Sequence, residues 1–476
     1  IGGERVENVV DHPAVAPHIN AVAKTYQLAH EPEHEEVMTA TSNITGRKIH
    51  RYTHIFQNSE DLINKIKMLR LLGQVTGTCF QRCVGLDAAN AIYATTFEVD
   101  KAHGTDYHRR FKDFLTGVQD RDLMTAGAMT DPKGDRSKRP AQLDDPDQYL
   151  RVVERRPDGV VIRGAKLHNT GGINSHEILV LPGMGLSEDE RDFAIACAVP
   201  ADAKGVVFIF GRQTNDERKL ENGCQDYGNP RFGVVGGEAM IVFDDVFVPT
   251  ERIFLNGEHD YCGRLVEYFA TWHRANYGGC KGGNADVLIG ATAKMTRILG
   301  TAKNGIVKDK LTEMVHLNET TFASAIGASA MGYPLPSGAF MVEPLMANTV
   351  KLNITRNVYQ IGRLSHDLAG GILATMPDAR AFDNPEIGHY VKKYVAASSE
   401  FDARERLKIA RYIENMTSVA SQVEAMHGAG SPQAQRISML RQADLDKKIA
   451  MVEKVVDGTD DVEGLPLRAQ PIPTPN

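Results

Sequence analysis

The stretch Cys79-Phe-Gln-Arg-Cys83 organises this chain, together with a distant second stretch, His273-Arg-Ala-Asn-Tyr-Gly-Gly-Cys280. Residues four or seven positions apart lie on nearly the same face of a helix, and the surroundings of both stretches have helical character. We therefore expect Cys79 and Cys83 to point together from one helix, and His273, Tyr277 and Cys280 to point together from another. Two such helices that face each other would bring three thiolates and one imidazole together as a four-ligand metal site.

The cysteines also fit a simpler interpretation, in which they are buried as small apolar side chains. The chain has 16 histidines and six cysteines, so accidental combinations at helical spacing are numerous. The short Cys-x2-Cys knuckles that are typical of zinc ribbons are absent. Residue types and spacing alone therefore leave a metal site and a packed core as open alternatives.

The overall composition is that of an ordinary globular protein. Of the 476 residues, 42% are hydrophobic and 24% are charged, and the length suggests two to four domains. The net charge of −7 provides no overall basic field for nucleic acid. No apolar run is long enough for a membrane span, and the few cysteines favour a reducing cytoplasm over a disulfide scaffold.

Helical patterns flank a β-rich middle segment. We expect an N-terminal helical domain over residues 1–122, a middle β domain over 123–256, a C-terminal helical bundle over 257–456 and a mobile tail over 457–476. Short β-rich runs separated by Gly and Asn fill the middle segment, which is typical of a small antiparallel barrel or sandwich. In the C-terminal bundle, the pattern predicts one continuous helix over 407–427.

One N-terminal helix carries a group of basic residues. Asn58 or Ser59 is predicted to cap it, with acidic residues in its first turn. Lys65, Lys67 and Arg70 follow, and they form either a solvated helix face or an anchor for a phosphate group.

Two further stretches resemble parts of one superfamily. Val242-Phe-Asp-Asp-Val-Phe-Val-Pro249, with Arg252 after it, looks like the strand that closes the β domain of the acyl-CoA dehydrogenase superfamily. Met129-Thr-Asp-Pro-Lys-Gly-Asp-Arg136 resembles the flavin loop shared by the 4-hydroxybutyryl-CoA dehydratases and the 4-hydroxyphenylacetate 3-monooxygenases. The resemblance implies an α+β, acyl-CoA dehydrogenase-like fold that binds FAD between a β-barrel domain and helices, without a Rossmann fingerprint.

The metal-site stretches, with Glu424-Ala-Met-His-Gly-Ala-Gly-Ser-Pro-Gln-Ala-Gln435, are similar to the 4-hydroxybutyryl-CoA dehydratase family over nearly the whole chain. This resemblance implies a homotetramer, a dimer of dimers, with FAD near the subunit interface. It also implies one [4Fe-4S] cluster per subunit, ligated by Cys79, Cys83, His273 and Cys280. The implied reaction is the radical dehydration of 4-hydroxybutyryl-CoA to crotonyl-CoA, with vinylacetyl-CoA isomerisation as a side activity.

The implied reaction explains why two cofactors are expected. The hydrogen on C3 of the substrate is not acidic, and acid–base catalysis worth roughly 10²–10⁴-fold would not suffice. By the resemblance, FAD supplies one-electron chemistry and the cluster acts as a Lewis acid on the leaving hydroxyl group. An imidazole is a more displaceable ligand than a thiolate, so His273 is expected to leave iron and serve as the base at C2.

The resemblance also assigns the remaining site residues. Tyr277 is expected to protonate the departing hydroxide, unless it is only a buried core phenol, and Lys281 is expected to stabilise negative charge beside the cluster. The other candidates for acid–base chemistry or substrate binding are Glu238, Glu424, Gln81 and Thr170, and Arg70 is the candidate for a contact with coenzyme A. The candidates for binding FAD are Met129, Thr130, Lys133, Gly134, Asp135, Arg136, His168, Asn169, Thr170, Gly370 and Gly371, of which the two glycines would approach the flavin of an adjacent subunit.

Two alternative functions remain open from the sequence. The first is a flavin-dependent aromatic hydroxylase of the 4-hydroxyphenylacetate 3-monooxygenase type, in which the cysteines would be incidental. The second is an iron–sulfur flavoprotein that only carries electrons or senses oxygen. The presence of the cluster and turnover without an external electron acceptor distinguish these from a dehydratase.

Overall fold

A computed structural model describes residues 1–213, 218 and 225–458 of the chain. The tail predicted over 457–476 therefore lies, from residue 459 onward, outside the described residues. Within the described part, none of the helices has both the length and the hydropathy that crossing a bilayer requires.

The N-terminal region is mostly helical, with one short antiparallel strand pair. Its helix α3 begins as the sequence predicts, because the Asn58 side chain accepts a hydrogen bond from the main-chain N–H of Asp61 (2.9 Å). The predicted cap at Asn58 is thus confirmed. The elements are α1 (Ala16–Leu28), α2 (Glu35–Met38), β1 (Thr39–Thr41), β2 (Lys48–His50), α3 (Ser59–Thr76), α4 (Cys83–His103) and α5 (Tyr107–Asp120).

Cys79 and Cys83 do not share a helix, so this part of the sequence-based prediction is wrong. Helix α3 ends at Gly77, which has a left-handed backbone (φ 60°), and Gln81 adopts a second left-handed conformation (φ 69°). Left-handed residues end a right-handed helix. Cys79 therefore lies on a loop, whereas Cys83 is the first residue of α4.

The middle region contains two four-stranded sheets. One has the order β10-β7-β6-β3 and the other the order β4-β5-β9-β8. Their strands are β3 (Thr125–Ala128), β4 (Arg151–Arg156), β5 (Gly159–Thr170), β6 (Glu177–Val180), β7 (Ile195–Pro200), β8 (Val206–Phe210), β9 (Glu238–Pro249) and β10 (Ile253–Asn256).

These sheets differ from the expected antiparallel barrel. Among the described residues the strands do not close into a barrel, and β3 pairs with β6 in parallel. A parallel pair needs a long crossover connection, and here the chain between β3 and β6 passes through β4 and β5 of the other sheet. The fold is a helix-rich α+β arrangement in which two sheets replace the barrel.

The C-terminal region is a set of helices joined by short connections. Its long α6 carries the second ligand stretch. The elements are α6 (Cys262–Ile298), α7 (Gly305–Ala330), β11 (Tyr333–Pro334), β12 (Phe340–Met341), α8 (Pro344–Ala369), α9 (Ile372–Thr375), α10 (Gly388–Val395), α11 (Ala403–Met416), α12 (Val419–His427), α13 (Pro432–Gln442) and α14 (Leu445–Asp457).

The single helix predicted over 407–427 is interrupted between α11 and α12. Thr417 Oγ1 donates to the main-chain oxygen of Ile413 (2.7 Å), and Ser418 adopts an extended conformation (ψ 159°). Hydroxyl side chains that bond to the preceding turn compete with helix continuation. The predicted stop after His427 is confirmed, because α12 ends there.

The helices that carry the candidate ligands pack on one another very closely. A Cβ atom at Gly73 of α3 would lie 2.8 Å from the main-chain oxygen of Cys280 on α6 and 2.9 Å from Cα of Gly283. A Cβ atom at Gly279 would lie 2.6 Å from the main-chain oxygen of Ile66. Glycines on both helices thus allow their backbones to touch, which holds the ligand-bearing face of α6 in place.

One apolar core joins these helices to both sheets. Fully buried side chains from every layer belong to it, which connects the flavin-loop region to the ligand helices through dense packing. Examples from α3, α4, β5, β6 and α6 are Leu69, Leu86, Ile162, Ile178 and Trp272. The domain boundaries predicted at 122 and 256 fall between α5 and β3 and at the end of β10, and they remain predictions.

Candidate active site

The thiols of Cys79, Cys83 and Cys280 lie near one another beneath the protein surface. Burial raises the pKa of Cys83 well above its ordinary value, and the Cys280 and Cys79 thiols raise it further. Burial also raises the pKa of Cys280 to about 11, although the neighbouring Lys281 opposes this. All three are free cysteines, so they are available as ligands. A loop and two helices thus bring together the cysteines that the sequence singled out.

These donors are spread more widely than the ligands of a single metal ion. Among the described residues, the only group of three or more donor atoms within 4.8 Å of one another is Glu31, Glu33 and His34. Zinc draws its sulfur ligands to about 2.3 Å, so three ligand atoms around one zinc ion lie close to one another. No three donor atoms of Cys79, Cys83, Cys280 and His273 lie within 4.8 Å of one another.

His273 belongs to the same site, and one of its ring nitrogens is bonded to a buried carboxylate. Its Nδ1 lies 2.8 Å from Oδ2 of Asp87, which is completely buried. Asn276 donates to the same carboxylate oxygen, and Lys65 Nζ lies 3.6 Å from the other one. The sequence-based reasoning missed Asp87, although its position one turn after Cys83 could have indicated it.

A pair of carboxylates and a lysine lie beside the thiols. Thr170 Oγ1 donates to Oε1 of Glu238 (2.7 Å), and Lys281 Nζ donates to Oε2 of Glu424. Burial raises the pKa of Glu238 to about 7, and the negative charge of Glu424 contributes. Burial alone would lower the pKa of Lys281, but Glu424 and the thiols raise it overall. The lysine therefore stays positively charged, whereas Glu238 can gain or lose a proton near neutral pH.

Tyr277 lies against a lysine that the sequence-based reasoning also missed. Lys351 Nζ is 3.7 Å from the centre of the Tyr277 ring and donates to the main-chain oxygen of Ala425. Burial lowers the pKa of Lys351 to about 7 and raises that of Tyr277 well above its usual value. A Cβ atom at Gly428 would overlap the Tyr277 hydroxyl, so glycine leaves room for it.

Gln81 lies beside Cys79, and both polar atoms of its amide are already hydrogen-bonded. Its Nε2 donates to the main-chain oxygen of His18 (3.0 Å), and its Oε1 accepts from Asn174 (2.7 Å). A Cβ atom at Gly236 would lie 3.0 Å from Gln81 Cγ and 3.5 Å from Cys79 Sγ. Gln81 thus lies next to Cys79, and its predicted contact with substrate remains a prediction.

The predicted flavin loop is clamped by a buried lysine. Lys166 Nζ lies 2.7 Å from Oδ1 of Asp131 and donates to the main-chain oxygens of Met129 (3.0 Å) and Leu181 (2.9 Å). The lysine and the aspartate are almost fully buried. The main-chain oxygen of Thr130 accepts from the N–H of Leu167 (2.7 Å), which ties the loop to β5.

The rest of the flavin loop is exposed around a left-handed turn. Lys133 (φ 73°) and Gly134 (φ 52°) form this turn. Desolvation lowers the pKa of His168 on β5, and the positive charges of Lys133 and His427 lower it further. The loop, β5 and the end of α12 thus meet at His168. The other candidates here are Asp135 and Arg136, which are exposed, and Asn169, which is buried and donates to the main-chain oxygens of Lys166 and Ala239.

Three predicted residues lie apart from this group. Gly370 and Gly371 follow the end of α8 and are exposed, and a Cβ atom at either would meet nothing within 4 Å. Arg70 is bound within the chain, since its guanidinium donates to Asp286 (2.8 Å) and Glu319 (3.1 Å). Its contact with coenzyme A therefore remains a prediction.

Comparison with protein families gives two adjoining matches. Residues 1–255 match the family described as 4-hydroxyphenylacetate 3-hydroxylase N terminal, and residues 262–457 match the corresponding C-terminal family. The chain is 48% identical over 466 residues to the 4-hydroxybutyryl-CoA dehydratase/vinylacetyl-CoA-Delta-isomerase of Clostridium aminobutyricum, with 95% of each chain covered. It is 25% identical over 429 residues to the oxygenase component of 4-hydroxyphenylacetate 3-monooxygenase of Thermus thermophilus, with 87% of this chain and 84% of the other covered.

Among solved structures, a dehydratase is again more similar to this chain than a monooxygenase component is. An oxygen-tolerant archaeal 4-hydroxybutyryl-CoA dehydratase from N. maritimus superposes with a TM-score of 0.94 at 47% identity, covering 99% of this chain and 94% of that one. The oxygenase component of 4-hydroxyphenylacetate 3-monooxygenase in complex with FAD gives a TM-score of 0.82 at 20% identity, with 96% and 95% covered. The second likeness extends to the fold alone.

Proposed function

This chain belongs to the 4-hydroxyphenylacetate 3-hydroxylase family, and from that premise we propose that it dehydrates 4-hydroxybutyryl-CoA to crotonyl-CoA and isomerises vinylacetyl-CoA. It is thus an enzyme of the lyase class. The observation that carries the proposal is the group of three free thiols, one buried and two half-buried, with His273, Glu238 and the Lys281–Glu424 pair beside it. An aromatic hydroxylase on this fold has no need of such a set.

FAD and one [4Fe-4S] cluster per chain are the cofactors of this proposal. FAD is supported by the shared fold, since a family member of that fold carries it. For the cluster, the donors fit: Cys79, Cys83 and Cys280 are free and near one another, and no three donor atoms of these cysteines and His273 lie within 4.8 Å of one another, as a set around one ion would. His273 Nε2 has no hydrogen-bond partner among the described residues, so its lone pair is available. These four residues would hold the cluster.

FAD would lie along the loop of residues 129–136 and the end of β5. Met129 and Asp131 are held by Lys166, which fixes the loop, and Lys133 and Gly134 form a left-handed turn beside them. His168, Asn169 and Thr170 continue from there toward the thiols. Gly370 and Gly371 would serve the flavin of a neighbouring copy, because the open space around them admits another chain.

The protein residues divide the proton transfers between them. When bound, FAD would supply one-electron chemistry at the substrate, and the cluster would supply a Lewis acid for the hydroxyl group. His273 would take the proton from C2 at Nε2 when that nitrogen is free of iron, since its Nδ1 is held by Asp87. Tyr277 keeps its proton because burial raises its pKa, and it can donate that proton to the departing hydroxide.

In the same pocket, Glu238 would exchange a proton and Lys281 would balance negative charge. With a pKa of about 7, Glu238 can exchange a proton with the substrate at neutral pH, and Thr170 orients its carboxyl group. Lys281 stays charged through its pairing with Glu424, and it can balance negative charge close to Cys280. These roles account for a pocket that holds two carboxylates and a lysine among thiols.

We further propose a homotetramer, a dimer of dimers, in a reducing cytoplasm. Helix α14 has an exposed apolar stripe at helical spacing, formed by Leu445, Ile449, Val452 and Val456, and such a stripe favours burial against another copy. The free thiols favour a compartment that keeps cysteines reduced.

The experiment that tests the proposal is anaerobic purification followed by counting iron, acid-labile sulfide and FAD per chain. We expect four irons, four sulfides and one FAD, and turnover of 4-hydroxybutyryl-CoA without any external electron acceptor. A colourless protein that contains no sulfide and hydroxylates phenols would replace the proposal with the hydroxylase. If the protein contains iron and sulfide but does not dehydrate 4-hydroxybutyryl-CoA, it is the iron–sulfur flavoprotein that only carries electrons or senses oxygen.

The dual role of His273 has its own test, the substitution His273→Cys. A thiolate can still bind iron but cannot act as an imidazole base, so we expect the absorbance of the cluster to persist while turnover is lost. The iron content and the turnover rate, measured on the same preparation, test both roles of His273. Retained turnover would contradict the role of His273 as base.

A further inference from the structure

Behind His273 lies a buried group of charged and polar residues drawn from three helices. Asp87 on α4 is completely buried, and so are Lys65 on α3 and Asn276 on α6. Asp87 Oδ2 faces His273 Nδ1 at 2.8 Å and accepts from Asn276, while Lys65 Nζ faces Oδ1 at 3.6 Å. Asp87 is thus in contact with the only non-cysteine residue of the donor set.

The charges of this group determine which way the imidazole faces. A carboxylate can only accept hydrogen bonds, so the ring nitrogen that faces Asp87 must be the one that carries hydrogen. A carboxylate cut off from water needs a positive charge nearby, and Lys65 supplies it. The hydrogen of His273 is therefore held at Nδ1, and the lone pair is left at Nε2.

The same group joins the helices that carry the ligands. Asp87 is one turn beyond Cys83 on α4, and Asn276 lies between His273 and Cys280 on α6. Lys65 extends the link to α3, which touches α6 through its glycines. The link therefore sets the distance between two ligand-bearing helices as well as the angle of one ring.

We infer that Asp87, held by Lys65, is a positioning residue that orients His273 so that Nε2, and not Nδ1, is its iron ligand. This inference deepens the proposed function and rests on it, because it presupposes the cluster. A carboxylate that fixes a ligating histidine through its second ring nitrogen typically contributes 10–100-fold to metal retention or activity.

One test replaces Asp87 with the isosteric asparagine. The amide can turn to offer either an oxygen or an N–H group to the ring, so Asp87→Asn no longer fixes the hydrogen at Nδ1. We expect the cluster to be lost to an iron chelator about 10–100-fold faster than from the unaltered protein. Lys65→Met should act in the same direction, because it leaves the buried carboxylate without its counter-charge.

The matched control is Glu98→Gln, another carboxylate on α4 that bonds to α6. Glu98 pairs with Arg264 and accepts from Tyr268, away from the thiols. We expect this variant to lose its cluster at the unaltered rate. Equal rates for Asp87→Asn and the unaltered protein would overturn the inference, and so would an equally fast loss from Glu98→Gln.

A second measurement needs no variant and therefore does not depend on folding. Histidine labelled with ¹⁵N at Nε2 or at Nδ1 is incorporated, the cluster is reduced to a paramagnetic state, and hyperfine coupling is recorded by pulsed electron paramagnetic resonance. We expect strong coupling only from the Nε2 label. Strong coupling from Nδ1 would overturn the inference, whereas a protein without iron would instead overturn the proposed function.

Discussion

Glu238 shows how one buried residue can connect stability with pH. Burial and the charge of Glu424 raise its folded-state pKa to about 7, above the ordinary value of 4.5. Between these two values the folded protein keeps a proton that the unfolded chain releases. The free energy of unfolding therefore falls as pH rises from about 4.5 through about 7, by up to about 3 kcal/mol for this group.

We predict that Glu238→Gln removes this dependence. An amide does not titrate, so between pH 5 and pH 8 the unaltered protein should lose about 2 to 3 kcal/mol more stability than the variant. Urea unfolding at both pH values measures the difference. Parallel losses in the two proteins would mean that Glu238 is not held in its neutral form.

A second prediction at this scale concerns Gly428. In Gly428→Ala the new methyl group would collide with the Tyr277 hydroxyl, so we expect turnover to fall at least about tenfold while iron and FAD contents stay unchanged. The control is Gly290→Ala within α6, where a Cβ atom meets nothing within 4 Å. That variant should keep full turnover and gain roughly 0.5–1 kcal/mol in unfolding free energy. Full turnover in Gly428→Ala would show that Tyr277 does not depend on this space.

Some residues of the candidate site could be predicted from the sequence and others could not. Cys79, Cys83 and Cys280 stood out because cysteine is rare in this chain and their resemblance to a known family is specific. Asp87 and Lys351 did not, because aspartate and lysine are usually exposed on helices. Only the assembled structure shows that they are buried beside His273 and Tyr277.

At the scale of elements, helix starts were easier to predict than interruptions. Asn58 is a standard cap followed by acidic residues, so the start of α3 could be located from local chemistry. The break after Thr76 depends on left-handed conformations at Gly77 and at Gln81, and glutamine rarely adopts one without support. Here the Gln81 side chain is bonded to His18 and Asn174, which are far away in the sequence. The residues next to Gln81 therefore do not predict its left-handed conformation.

The clamp on the flavin loop gives a prediction at this scale. Lys166→Met leaves Asp131 buried without its counter-charge, so we expect a loss of about 3–5 kcal/mol in unfolding free energy and weaker FAD binding. Urea unfolding and flavin titration measure the two effects. The double variant Lys166→Met/Asp131→Asn should recover part of the stability, because no unpaired charge remains.

An exposed ion pair provides the control for that clamp. Arg155→Met breaks the pair with Asp192, in which both side chains are about half exposed, and it should cost no more than about 1 kcal/mol. If Lys166→Met costs no more than this control, the buried pair does not hold the loop.

For the whole molecule, the order of helical, β and helical regions followed from the sequence, but the arrangement of the sheets did not. Strand-like runs indicate strands without stating their partners, and the parallel pairing of β3 with β6 depends on a long crossover. The likeness to known proteins, and not strand spacing, indicated the architecture. The subunit arrangement and the domain boundaries remain predictions.

The proposed tetramer can be tested at the stripe on α14. Ile449→Lys/Val452→Lys would bury charges in the subunit interface, so we expect association to weaken at least about tenfold and smaller species to appear. Sedimentation equilibrium at several concentrations measures this. Val10→Lys, an exposed apolar position outside the stripe, should leave assembly unchanged. Unchanged assembly in the double variant would place the interface elsewhere.

The loop position of Cys79 makes its thiol depend on distant parts of the chain. Cys83, His273 and Cys280 stand on helices, whereas Cys79 precedes Phe80 and Gln81, which are both buried. The Gln81 amide is bonded to the main-chain oxygen of His18 and to Asn174, so residues far away along the chain hold this loop in place. A change in α1 or beside Asn174 therefore reaches one corner of the site without touching any of its four donors.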